Sequence, residues 1–116
     1  FFFALSNTMG KLQVTILGGK RLSAKDMNGY SDPYIKVKWC GQKFKTSTKH
    51  KTLNPTWNET FIISIPDAPS HPPLDISVWD WDKHTSDDAM GSCQVFFNDL
   101  RQGTPHEQWY PLTGGR

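Results

Sequence analysis

Val78-Trp79-Asp80-Trp81-Asp82-Lys83-His84-Thr85-Ser86-Asp87-Asp88 carries a strand into a loop crowded with acid. Four aspartates fall within nine residues, and only Lys83 and His84 stand against them in the loop. Carboxylates that close repel one another. Such a cluster is stable when splayed into water, when some of its carboxyls hold a proton, or when it holds a cation. A hard, oxygen-liganded cation such as calcium is the natural candidate. Whether the chain supplies further oxygens decides what this loop is for.

It does so much earlier. Asp26-Met27-Asn28-Gly29-Tyr30-Ser31-Asp32-Pro33 is a turn-rich stretch with two aspartates six residues apart. Between and around the two acidic loops lie short strands. Leu12, Val14 and Ile16 alternate with Gln13 and Thr15, the period of a half-buried strand. Tyr34, Lys36 and Lys38 alternate with Ile35, Val37 and Trp39; a turn at Cys40-Gly41 leads to Gln42–Thr48, with Phe44 inward. Glu59 to Ile65 follows with Phe61, Ile63 and Ile65 on one face, then Leu74–Trp79, Gly91–Phe97 and Trp109–Leu112. Pro66 to Pro73 is an irregular connection, and Asn98-Asp99-Leu100 a short helical turn. Seven short strands at this spacing predict an all-β, antiparallel β-sandwich. An eighth strand has two possible sources: Phe1 to Ser6, turned by Asn7-Thr8-Met9-Gly10 into the next, or sequence beyond Arg116. Because three consecutive phenylalanines do not alternate, the balance tilts to a chain lacking its last strand. Residues 1–10 are set apart as an extension and 11–116 as the domain.

With 116 residues the chain makes one domain with an adequate core. No apolar stretch approaches the ~20 residues of a membrane span, and Phe1–Leu5 is too short for a signal peptide. Cys40 and Cys93 do not make a disulfide framework and are expected as free thiols in a reducing compartment. The net charge of +2 hides an asymmetry: ten of thirteen Lys and Arg lie in residues 1–51, and nine of eleven acids lie in 52–116.

Loops at one end of a sandwich converge, so Asp26, Asp32, Asp80, Asp82, Asp87 and Asp88 can build one site. Five aspartates, some bridging, suffice for two calcium ions, with the carbonyls of Lys25 and Trp81 completing the shells. The EF-hand template fails: its sixth and twelfth positions from Asp80 hold Thr85 and Gly91. No nucleophile elbow, zincin or P-loop pattern occurs, and a glycosidase pair needs a cleft that short strands do not offer. No catalytic residue is assigned, and the chain does not read as an enzyme.

The sequence resembles a C2 domain over residues 11–112. The resemblance is carried by Ser31-Asp32-Pro33-Tyr34, Lys45-Thr46, Leu53-Asn54-Pro55-Thr56-Trp57-Asn58-Glu59, Val78-Trp79-Asp80-Trp81-Asp82 and Met90-Gly91. The acidic loops are most similar to those of conventional protein kinases C. The resemblance implies an eight-stranded Greek-key sandwich and calcium ligands at Asp26, Asp32, Asp80, Asp82 and Asp88, with Asp87 only a neighbour. It also implies calcium-dependent binding of anionic phospholipid, with Asn28, Lys83 and Thr85 at the headgroup. Lys83, His84 and Ser86 depart from the kinase pattern, which bears on lipid preference. Lys36, Lys38, Lys43 and Lys45 resemble the family's basic patch for phosphoinositides. The implied role is a cytoplasmic module recruited to phosphatidylserine-rich or phosphoinositide-bearing membrane by calcium. The alternative is a calcium-independent protein-interaction module; nucleic acid is not expected. Met27 and Tyr30 are placed to dip into the bilayer interface, Trp57 under its loop, and Trp39, Phe61, Trp79 and Phe97 in core or strand packing. His50, His71 and His106 are expected on the surface, and His84 as a bystander.

Overall fold

A computed structural model describes residues 1–8, 10–22, 29–97, 100, 103 and 106–113. Eight strands run in chain order: β1 Phe2–Thr8, β2 Lys11–Gly18, β3 Pro33–Trp39, β4 Gln42–Lys45, β5 Thr56–Ser64, β6 Leu74–Asp80, β7 Asp88–Val95 and β8 His106–Trp109. They form two four-stranded antiparallel sheets, ordered β5-β2-β1-β8 and β4-β3-β6-β7.

The alternation read from the sequence sets the inner faces. Leu12, Val14 and Ile16 of β2, Ile35, Val37 and Trp39 of β3, and Leu74, Ile76 and Val78 of β6 are buried between the sheets. Phe44 reaches inward to Phe61, ring centroids 5.3 Å apart. Cys40-Gly41 makes the β3–β4 hairpin with φ of 48° and 77°; positive φ at both central residues is the twist a two-residue hairpin favours. Cys40 and Cys93 are free thiols, and burial pushes Cys93 up to about 11.

The eighth strand is β1, which corrects the expectation of a missing last strand. It lies inside the sheet, between β2 and β8. The three phenylalanines do alternate in place: Phe1 and Phe3 are buried with Leu5 in the core, while Phe2 faces outward and stacks on Trp109 at 5.1 Å. Several boundaries also move. β4 ends at Lys45 rather than Thr48, β5 runs Thr56–Ser64 rather than Glu59–Ile65, and β7 runs Asp88–Val95 rather than Gly91–Phe97. β8 runs His106–Trp109 rather than Trp109–Leu112, because Pro111 has no N–H to continue a ladder. Beyond β8, Thr113 and Ser92 exchange backbone bonds of 2.9 Å, so the chain crosses to the β7 edge of the other sheet. Asn98 and Asp99 of the expected helical turn lie outside the described residues; the Leu100 N–H donates to the Phe97 carbonyl at 3.0 Å.

Lys45-Thr46 shows why such a motif is needed at the end of β4. Thr46 is 5% exposed; its Oγ1 accepts the Ile35 N–H at 2.9 Å and donates to the Ser47 carbonyl at 3.0 Å. Thr46→Val keeps the shape and strands the Ile35 N–H, so urea denaturation is expected to show a loss of about 1–3 kcal/mol. Trp57 is buried beneath this segment and donates from Nε1 to the Ser47 carbonyl at 2.8 Å, as expected of a residue under its loop.

Candidate functional site

The strand order places the aspartates. Asp32 precedes Pro33, which opens β3; Asp80 closes β6; Asp88 opens β7. These three strands are neighbours, with Pro33 opposite Asp80 and Asp80 opposite Asp88. Asp32, Asp80, Asp82 and Asp88 therefore gather at one end of one sheet. The loops are laced together: the Asp32 N–H donates to Asp80 Oδ1 at 2.8 Å, and the Trp81 N–H donates to the Asp32 carbonyl at 3.0 Å. Asp80 is 2% exposed, an acid buried where a carboxylate needs strong compensation. Lys25, Asp26 and Asn28 lie outside the described residues, as does Met27; Tyr30 is exposed.

Backbone amides hold the carboxylates. Asp32 Oδ1 accepts the Lys51 N–H at 2.7 Å; Asp82 Oδ1 accepts the N–H groups of His84 at 2.8 Å and Thr85 at 3.3 Å. The His84 bond, then those from Thr85, hold the Asp82 carboxyl below its ordinary value. Asp87 uses both oxygens within the protein: Oδ1 accepts the Asp82 N–H at 3.0 Å, and Oδ2 accepts the Tyr34 hydroxyl. Burial first, then the bond to Asp87, raise the tyrosine hydroxyl's pKa. Asp87 thus ties the acidic loop to β3, and sequence reasoning missed this because nothing in spacing links positions 34 and 87. Among the described residues no three His, Cys, Asp or Glu side chains stand close enough to share one metal ion.

The donor set nevertheless suits a hard divalent cation. It is oxygen only, several carboxylates share one end of the sheet, and the single ion pair there among the described residues is weak, His50 Nδ1 to Asp32 Oδ1 at 3.6 Å. A carboxylate has about four acceptor positions, so one or two amide bonds leave room for a cation. His50 is exposed as expected, but not incidental: its ring meets Trp81 edge-on at 5.4 Å. His50, Lys51, Trp81 and Lys83 line a shallow recess of about 380 Å³ with Asp32 and Asp82. Lys83 and Thr85 are both exposed, and Lys83 lines this recess. His71, expected on the surface, is half-buried, with its ring 4.6 Å from Phe97 and 5.6 Å from Trp39; the proline-rich segment folds it back over the core. His106 is half-buried too, its Nε2 paired with the Tyr110 hydroxyl at 2.9 Å.

The basic patch forms on the outer face of the same sheet. Lys36 stands opposite Lys45 and Lys38 opposite Lys43, so four cations make a square about a shallow recess of about 370 Å³. Asp75 stands across from Lys38 on β6, yet no carboxylate among the described residues forms an ion pair with any of the four. Trp79 belongs to this outer face rather than the core: Lys36 Nζ sits 4.2 Å from its ring centroid and 5.9 Å from that of Tyr34. Such contacts orient the lysine without neutralising it.

A family model described as the C2 domain matches residues 10–112. The chain is 38% identical over 106 residues to "Multiple C2 and transmembrane domain-containing protein 1" of Rattus norvegicus, covering 91% of this chain and 11% of that protein. It is 37% identical over 109 residues to Synaptotagmin-2 of Mus musculus, covering 90% and 26%. Among solved structures, the calcium-bound pair of C2 domains from Extended-Synaptotagmin 2 matches with a TM-score of 0.69 at 27% identity, over 78% of this chain and 35% of that one. The chain therefore spans about a tenth to a quarter of these curated relatives.

Proposed function

Since the chain belongs to the C2 domain family, we propose that it is a calcium-dependent phospholipid-binding module that brings its parent protein to anionic membranes. The observation that carries this is the gathering of Asp32, Asp80, Asp82 and Asp88 on three adjacent strand ends, beside a face bearing four lysines with no carboxylate partner among the described residues. Asp26, Asp32, Asp80, Asp82 and Asp88 would hold two calcium ions, with the carbonyls of Lys25 and Trp81 completing their shells. Bound calcium supplies positive charge and open coordination positions for lipid phosphate.

The protein's own part is electrostatic. Without calcium the acidic end repels an anionic surface; with its carboxylates neutralised, the recess lined by Lys83, together with Thr85 and Asn28, accepts a phosphatidylserine headgroup. The amide-held carboxylates must turn toward the ion, a rotamer change rather than a change of fold. Lys36, Lys38, Lys43 and Lys45 add contact to phosphoinositide or other anionic lipid, each cation near the surface contributing about 1 kcal/mol. The relative named for a calcium-bound structure supports the metal, and the transmembrane protein among the relatives supports a membrane setting. The role needs no catalytic residue, and the place of action is the cytoplasmic membrane surface.

Calcium titration by calorimetry, followed by vesicle sedimentation, tests this. Wild type is expected to bind calcium and to sediment with phosphatidylserine vesicles only in its presence. Asp80→Asn/Asp82→Asn is expected to lose both, and Lys43→Ala/Lys45→Ala to keep calcium binding while losing preference for phosphoinositide. A wild type that binds neither calcium nor vesicles overturns the proposal and leaves a calcium-independent protein-interaction module.

A further inference from the structure

We infer that the chain carries a second membrane-contact surface, on the sheet opposite the basic patch, built from Trp109, Phe2 and Lys20. The inference rests on the phospholipid-binding function proposed above and concerns how the domain leans on the bilayer.

Trp109 is 46% exposed, although its neighbour Phe2 stacks on it at 5.1 Å with the rings 28° apart. Lys20 Nζ lies 4.9 Å from the Trp109 ring centroid. Leu17, Pro55 and Thr56 complete a shallow recess of about 320 Å³ around them. Its floor is tight: a Cβ on Gly18 would come within 2.7 Å of the Pro55 carbonyl oxygen, so loop and strand lie against each other without a side chain between. The surface is an apolar aromatic body with a cation at its rim, the amphipathic combination that partitions to the headgroup layer of a bilayer.

Its position points to lipid. β2 ends at Gly18 and β5 begins at Thr56, beside Phe2 and Trp109 in register. This is the end of the sandwich from which the acidic loops emerge, since β3 opens and β6 closes there. Three of the five exposed large hydrophobic residues among those described, Tyr30, Trp81 and Trp109, belong to this end. Among the described residues Lys20 and Arg21 have no acidic partner; Glu107 shares the face but lies two residues farther from the loops on β8. Cation and aromatic therefore complement an anionic bilayer that the acidic end has already been drawn to.

The two lipid-facing surfaces lie on opposite flanks of the sandwich. Leaning toward the lysine square lifts Trp109 away, and leaning toward Trp109 lifts the lysines. Phosphatidylserine alone then favours the Trp109 lean, and phosphoinositide draws the domain the other way.

Sedimentation of the chain in calcium, with phosphatidylcholine–phosphatidylserine vesicles and with the same vesicles plus phosphatidylinositol bisphosphate, tests this. On the first, Trp109→Ala and Lys20→Glu are each expected to weaken partitioning by roughly tenfold; on the second the loss should shrink to about twofold or less. Calcium affinity in free solution should stay at the wild-type value. Lys20→Glu keeps the test sound if loss of the Phe2 stack unfolds Trp109→Ala. Variants that bind the first vesicles like wild type overturn the inference. So does a fall in solution calcium affinity that tracks the loss, since the patch would then act only on the loops. A wild type that fails to sediment overturns the parent proposal, and this one with it.

Discussion

Removal of residues 1–8 is expected to abolish cooperative unfolding. β1 is paired along both edges, with β2 from Phe2 to Thr8 and with β8 from Phe2 to Leu5. Without it β8 has no partner, β2 has an open edge, and the core loses Phe1, Phe3 and Leu5. Phe3 is 0% exposed, and Phe3→Ala by itself should cost about 3–5 kcal/mol from lost burial and the cavity left behind. A domain of this size has about 5–15 kcal/mol in all, so losing the strand exceeds what the remainder can sustain. Urea denaturation followed by tryptophan fluorescence measures both variants. A truncated chain that unfolds at the wild-type midpoint would show that β1 is dispensable.

The second large effect is on thermal stability. A ligand that binds only the native state adds about 2.7 kcal/mol at a hundredfold excess over its dissociation constant. At about 4 °C per kcal/mol for a domain of this size, calcium in that excess is expected to raise the melting temperature by about 10 °C over chelator. Asp80→Asn should abolish the rise. In chelator its melting point should match or exceed that of wild type, because the amide relieves repulsion at a crowded acidic end and can still accept the Asp32 N–H. A melting point lowered in calcium but not in chelator separates a metal ligand from a structural acid, whose loss would lower both. Equal melting temperatures in calcium and chelator would count against the metal site.

Much of the sandwich was legible because period-two alternation is a direct imprint of a two-sided strand. Ile35, Val37 and Trp39 could only face one way and Lys36 and Lys38 the other. What escaped was information that strands carry only in pairs. Phe1-Phe2-Phe3 showed no alternation in residue type, since Phe2 also had an aromatic partner, Trp109, on the outer face. Trp79 read as core or strand packing by its chemistry, and its place opposite Tyr34 put it on the outer face under Lys36. At the site, Asp32, Asp80, Asp82 and Asp88 were visible as acids in turns. The amide bonds that orient them, the Asp87–Tyr34 tie and the nearness of His50 depend on loop paths, which no local pattern records. Lys25 and Asp26 rest on the reading of the sequence and Asn28 on the family resemblance, since all three lie outside the described residues.

The place of β1 also bears on how the chain is made. Its outer edge is closed by β8, and Phe1 bonds with Tyr110 across 109 positions of sequence. Of the domain's strands, β1 and β2 leave the ribosome before the others, and they can form a hairpin at once. The β1 edge, rich in phenylalanine, then stays unpaired until nearly the whole domain has emerged. Long-range closure of this kind is slow, and an open apolar edge invites pairing with other chains. Synthesis is therefore the interval in which this domain is most exposed to aggregation, and the sequence around His106–Trp109 ends it.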